Sequence, residues 1–81
     1  MGIEYKIKFA VPANYDSSAL LKKLPDPIED PSLPDIYSYT IEDDGFYFVD
    51  HLVNQAVASF ALRRFIDEAL MYSERIEIVE P

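Results

Sequence analysis

Eighty-one residues bound the chain to one small domain, 1–81. With 49% apolar and 14% aromatic residues it has the composition of a folded globule, although a chain this short buries only roughly 60–65% of its unfolded surface. The net charge is −8, cysteine is absent and no run of about 18 apolar residues occurs, which leaves no disulfide, no thiolate metal site and no membrane-spanning helix.

Residues 3–9 alternate. Ile3, Tyr5, Ile7 and Phe9 share one face and Glu4, Lys6 and Lys8 the other, which predicts a strand with one wet face. The first residues lack a basic segment followed by an apolar run, and Lys6 stands where a myristoylation signal needs Ser or Thr. A cytoplasmic location is the expectation. Asp16 or Ser17 caps a short predicted helix in which Ser17, Leu20, Leu21 and Leu24 form one stripe. Lys22 and Lys23 suit its last turn, and Pro25 stops it.

Residues 25–35 carry four prolines and read as an extended loop, with Ile28 and Leu33 as its anchors. Residues 36–41 and 46–49 are rich in aromatic and β-branched side chains and read as two strands. Between them, Asp44-Gly45 predicts a type I′ turn, whose two central residues need positive φ. From about Asn54 to Ser73 the pattern is helical, with Ala58, Ala61, Leu62, Phe65, Ile66, Ala69 and Leu70 on one stripe. Ile76, Ile78 and Val79 make a short last strand. The resulting β-α-β-β-α-β order resembles the ferredoxin-like arrangement, which implies an α+β fold with a four-stranded antiparallel sheet and two helices on one face. That likeness is one of topology and carries no function across. It places the first and third strands at the centre and the second at an edge.

The charge is unevenly spread. Between Lys23 and Arg63 there is no Lys or Arg, while Asp26, Glu29, Asp30, Asp35, Glu42, Asp43, Asp44 and Asp50 all fall there. The remaining seven acids balance the seven bases. A one-signed surface steers partners of opposite sign. Three readings compete: docking of a basic partner through Asp26, Glu29, Asp30, Asp35, Asp43 and Asp44; a cation site at Asp26, Glu29 and Asp30 or at Asp43 and Asp44; and protection of an edge strand from aggregation. The spacing fits no EF-hand loop.

Catalytic signals are absent. His51 is the only histidine, no Gly-x-Ser-x-Gly turn accompanies it, and Gly2 and Gly45 cannot build a phosphate cradle. No cofactor or metal is therefore expected. Tyr37, Tyr39, Phe46, Tyr47 and Phe48 could superficially stack on bases, but so acidic a chain repels phosphate, and they read as core residues. On a helical wheel Val53, Ala56, Val57 and Phe60 lie nearly opposite the Leu62–Ile66 stripe. Either regular helix begins near Ala58 and residues 51–57 form a buried connection, or Val57 and Phe60 belong to an interface with another chain. Arg63 with Asp67 and Arg64 with Glu68 are i,i+4 pairs of a solvated face. In size and charge the chain resembles small acidic inhibitor, immunity and adaptor proteins. The expectation is a non-enzymatic interaction module for a basic protein partner, with a homodimeric ligand-binding or regulatory domain as the alternative.

Overall fold

The computed structural model describes residues 2–25 and 33–81. The elements run β1 (Ile3–Lys8), α1 (Ser18–Lys23), α2 (Leu33–Ile36), β2 (Tyr37–Glu42), β3 (Gly45–Asp50), α3 (Gln55–Tyr72) and β4 (Glu77–Val79). The strands form one sheet in the order β2-β3-β1-β4, and each neighbouring pair is antiparallel. The fold is thus α+β, with β1 and β3 at the centre.

The alternation of β1 sets the two faces of the sheet. Ile7 stands opposite Phe46, and Tyr5 opposite Phe48. Ile7, Phe46 and Phe48 are wholly buried, together with Leu20 of α1 and Ala61, Phe65 and Ala69 of α3. The alanines of α3 are small enough for the helix to lie close over these aromatic rings. Phe65 is the hub, with ring centroids 5.3 Å from Phe46, 5.6 Å from Phe48 and 5.0 Å from Tyr39. The predicted stripes are not wholly buried, since Leu70 at the end of the α3 stripe and Leu21 within the α1 stripe are exposed.

Local signals explain the helix ends. The Asp16 carboxylate accepts a hydrogen bond from the Ser18 N–H at 2.9 Å, whereas the Ser17 side chain makes no capping bond. Leu24 is extended, as a residue before proline prefers. Asn54 caps α3, its side-chain oxygen accepting from the Val57 N–H at 3.2 Å. Regular helix therefore begins at Gln55, and the expectation of an irregular connection reaching to Val57 is overturned. The predicted loop 25–35 is also corrected at its end, because residues 33–36 make one helical turn. Ile28 lies outside the described residues, as does the side chain of Leu33.

The hairpin joins β2 to β3 where expected but with a different turn. Glu42 pairs with Gly45, so Asp43 and Asp44 are the central residues. Leu52 is the only non-glycine with positive φ among the described residues; Asp43 and Asp44 therefore cannot form a type I′ turn, which needs positive φ at both. Gly45 itself carries a φ of 151°, inside the first position of β3. Its glycine identity serves the close passage of β1, since a Cβ there would overlap the Ile7 carbonyl oxygen and stand 2.9 Å from its carbonyl carbon.

Candidate functional site

The acids expected to meet a partner fall in two groups. Asp26, Glu29 and Asp30 lie outside the described residues. Asp35, Asp43 and Asp44 are exposed, the first on α2 and the other two at the hairpin tip. The tip is not uniformly negative. Lys6 of β1 reaches across the open face of the sheet to Glu42 and to Asp44, the latter at 2.6 Å. Its side chain is only 11% exposed. This cation is remote in sequence and adjacent in space, so a count along the chain misses it. Asp43 and Asp35 make no ion pair among the described residues. Among the described residues, no group of three or more His, Asp or Glu side chains gathers to hold a metal ion.

The apolar candidates separate. Val57 is half-buried and packs against the core, whereas Phe60 is 39% exposed on the same helix. Arg64 lies over the Phe60 ring at 4.5 Å, an arrangement that attracts a cation to the ring face. Leu52 and Val53, in the link before α3, are 56% and 66% exposed. Leu52 holds a φ of 63°, which strains any residue with a Cβ. The neighbouring Asp50 carboxylate accepts from the Leu52 N–H at 2.8 Å and holds this bend. His51 follows β3, half-buried, and its N–H donates to the Ile36 carbonyl at 3.0 Å.

A cavity of about 500 Å³ opens between α1 and the outer edge of β2. Leu21, Leu24, Pro25, Pro34, Tyr37 and Tyr39 line it. Sequence reading missed it because its walls come from elements separated by the loop. The individual signals were visible only as a leucine stripe and a pair of alternate tyrosines.

Glu68 corrects another expectation. Rather than pairing with Arg64 in solvent, it is 2% exposed and its carboxylate accepts from the Tyr15 hydroxyl at 2.8 Å. Its second oxygen and the Arg64 Nε are buried with no hydrogen-bond partner among the described residues. The other pair is as expected, with Arg63 donating to Asp67 at 2.9 Å on the surface. Tyr15→Phe removes the donor to one Glu68 oxygen while the other already has none among the described residues, and is expected to cost about 2 kcal/mol in urea unfolding. A cost near zero would mean that the Glu68 carboxylate does not depend on the tyrosine.

Four groups hold their protons more tightly in the fold than in the unfolded chain. Burial, then the bond to Glu68, raises the Tyr15 pKa. Burial, then the charge of Tyr39, raises that of Tyr37. The hydrogen bond to Glu4, then burial, raises that of Tyr47. For Lys6 burial pulls downward, but the bonds to Asp44 and Glu42 outweigh it and the net shift is upward. A raised folded-state pKa contributes stability that is present below the unfolded value and lost as pH rises through the folded one. The urea midpoint is therefore expected to fall from about pH 10 upward, the ordinary range of Tyr and Lys. A midpoint that stays level through about pH 11 would contradict these placements.

No helix among the described residues is long and apolar enough to cross a membrane. Comparison with family models, with curated proteins and with solved structures finds no match.

Proposed function

We propose that the chain is a small non-enzymatic interaction module of ferredoxin-like fold, which meets a basic protein partner through the side that carries β2, the hairpin tip and α2. The strand order and the antiparallel pairing support the fold assignment. The four-residue α2 is an addition to the two-helix pattern. The observation that carries the functional reading is the absence of any Lys or Arg from position 24 to position 62, a segment whose described residues include α2, the edge strand β2 and the hairpin tip. Asp35 and Asp43 point the charge of that side into solvent, while the tie of Lys6 to Glu42 and Asp44 fixes the tip.

The test uses the double variant Asp35→Lys/Asp43→Lys, which leaves the Lys6 contacts in place. Wild-type protein is expected to capture a basic partner from lysate at about 50 mM salt and release it at about 500 mM, where surface charges are screened. The variant is expected to capture it at neither. Recovery of the same partner by both proteins would overturn the reading.

A homodimeric regulatory domain is the second reading, and one observation favours it. Leu52, Val53 and Phe60 are large, apolar and exposed, and Leu52 is held in a strained conformation. Sedimentation at high micromolar concentration decides it: a monomer removes this reading.

A further inference from the structure

Among the described residues, no strand pairs with the outer edge of β2. Six residues belong to the strand, and from Tyr37 to Ile41 there is neither a charge nor a proline. Edge strands ordinarily carry such guards within the strand itself. The opposite edge differs, since β4 has three residues and begins with Glu77.

The register shows which groups face outward. The Ile36 carbonyl accepts from the His51 N–H, and this pair continues the ladder in which Tyr37 faces Asp50. Hydrogen-bonded and non-hydrogen-bonded pairs alternate along an antiparallel ladder. Ser38, Thr40 and Glu42 therefore turn their main chain to β3, and Tyr37, Tyr39 and Ile41 turn theirs to the outer edge. The side chains of these three lie on the helix-covered face, where Tyr37 stacks on Phe48 at 5.4 Å and Tyr39 packs on Phe65. The 500 Å³ cavity beside α1 is on this face, with Tyr37 and Tyr39 among its walls.

A strand added to this edge would be sorted by its own alternation. Residues opposite Tyr37, Tyr39 and Ile41 would drop their side chains toward the cavity walls Leu21, Leu24 and Pro25. The intervening residues would lie beside Ser38, Thr40 and Glu42 on the open face. The ends of the added strand would run past Asp35 and Asp43, both acidic and exposed. We propose that β2 receives an extended segment of another protein, with apolar and basic residues in alternation, as a fifth strand. This inference rests on the interaction reading above and names its mode, in which main-chain bonds supply affinity and side-chain pockets supply specificity.

A second copy of the chain is the natural competitor for this edge. In a two-fold pairing of β2 with β2, Glu42 and Asp43 of one copy would approach Asp35 of the other, and each copy carries a net charge of −8. The charge that disfavours self-pairing favours a basic strand.

The probe is the blocked heptapeptide Lys-Val-Lys-Val-Lys-Val-Lys, titrated into the nitrogen-15-labelled full chain. The amide signals of Tyr37, Tyr39 and Ile41 are expected to shift, and their hydrogen exchange to slow by about tenfold or more. Methylation of the valine nitrogens is expected to weaken binding by about tenfold or more, because it removes the donors to the β2 edge. Binding that survives methylation and protects none of the three amides overturns strand addition. If that binding is still lost in the Asp35→Lys/Asp43→Lys protein, the basic-partner reading stands without it. Equal binding of the same peptide with Glu in place of Lys overturns the basic occupant and the partner reading together. Three amides already protected in a free protein that sediments as a dimer would overturn the proposal by placing a second copy on the edge.

Discussion

Gly45→Ala is expected to remove about 3–5 kcal/mol of stability, enough to unfold a large part of the population of a small domain. Two independent effects add. The φ of 151° lies where a residue with a Cβ is strained, a cost of roughly 1–2 kcal/mol. The new methyl would also overlap the Ile7 carbonyl oxygen and lie 3.0 Å from the Lys8 Cα. Those atoms are the backbone of a central strand, held on both sides by β3 and β4. They cannot move aside as the end of a long side chain would. Urea unfolding monitored by circular dichroism reads the effect directly. A loss below about 1 kcal/mol would mean that β1 shifts away from Gly45 with little resistance.

Phe65→Ala is expected to cost about 3–5 kcal/mol through lost burial and the cavity left behind. Phe65 is wholly buried, and its ring meets Phe46, Phe48 and Tyr39. These three rings come from both strands of the hairpin, so the helix loses its grip on β2 and β3 at one point. Phe65→Leu keeps most of the volume and is expected to cost less than half as much. Equal losses in the two variants would show that ring-to-ring geometry, rather than filled volume, secures the helix. Tyr39 also walls the cavity beside α1, so Phe65→Ala is expected to loosen that wall as well.

The strands and the two longer helices were legible in the sequence because each is set by a local rule. Alternation marks β1, the Pro25 stop ends α1, and a 3.6-residue period with an Asn cap marks α3. Their observed bounds differ from expectation by one to a few residues. The misreadings share a cause, which is a neighbour distant in the chain. Asp44-Gly45 looks like the centre of a primed turn, yet the demand on Gly45 comes from Ile7. Glu68 looks like a partner for Arg64, yet Tyr15 covers it. The hairpin tip looks purely acidic, yet Lys6 sits against it. The extra turn at 33–36 follows the prolines of a segment whose composition suggested only extended chain. For the candidate site, charge was legible and shape was not. Asp35 and Asp43 could be named from the sequence, whereas the cavity needs α1 and β2 to be brought together. Val57 and Phe60 were grouped by the helical wheel, but the packed face of α3 is broad enough to take Val57.

The position of β1 between β3 and β4 has a kinetic consequence. The β2–β3 hairpin is local and closes over two residues, an event of roughly 1–10 μs in isolation. β1 precedes both of its sheet neighbours in the chain, and its pairing with β4 spans most of the sequence. Loop closure over such distances costs entropy before any contact offsets it. During synthesis, the strand that is made first therefore waits longest for its full set of partners. Until it is inserted, β3 also lacks its second strand partner, and the acids at the hairpin tip lie beside that unpaired edge.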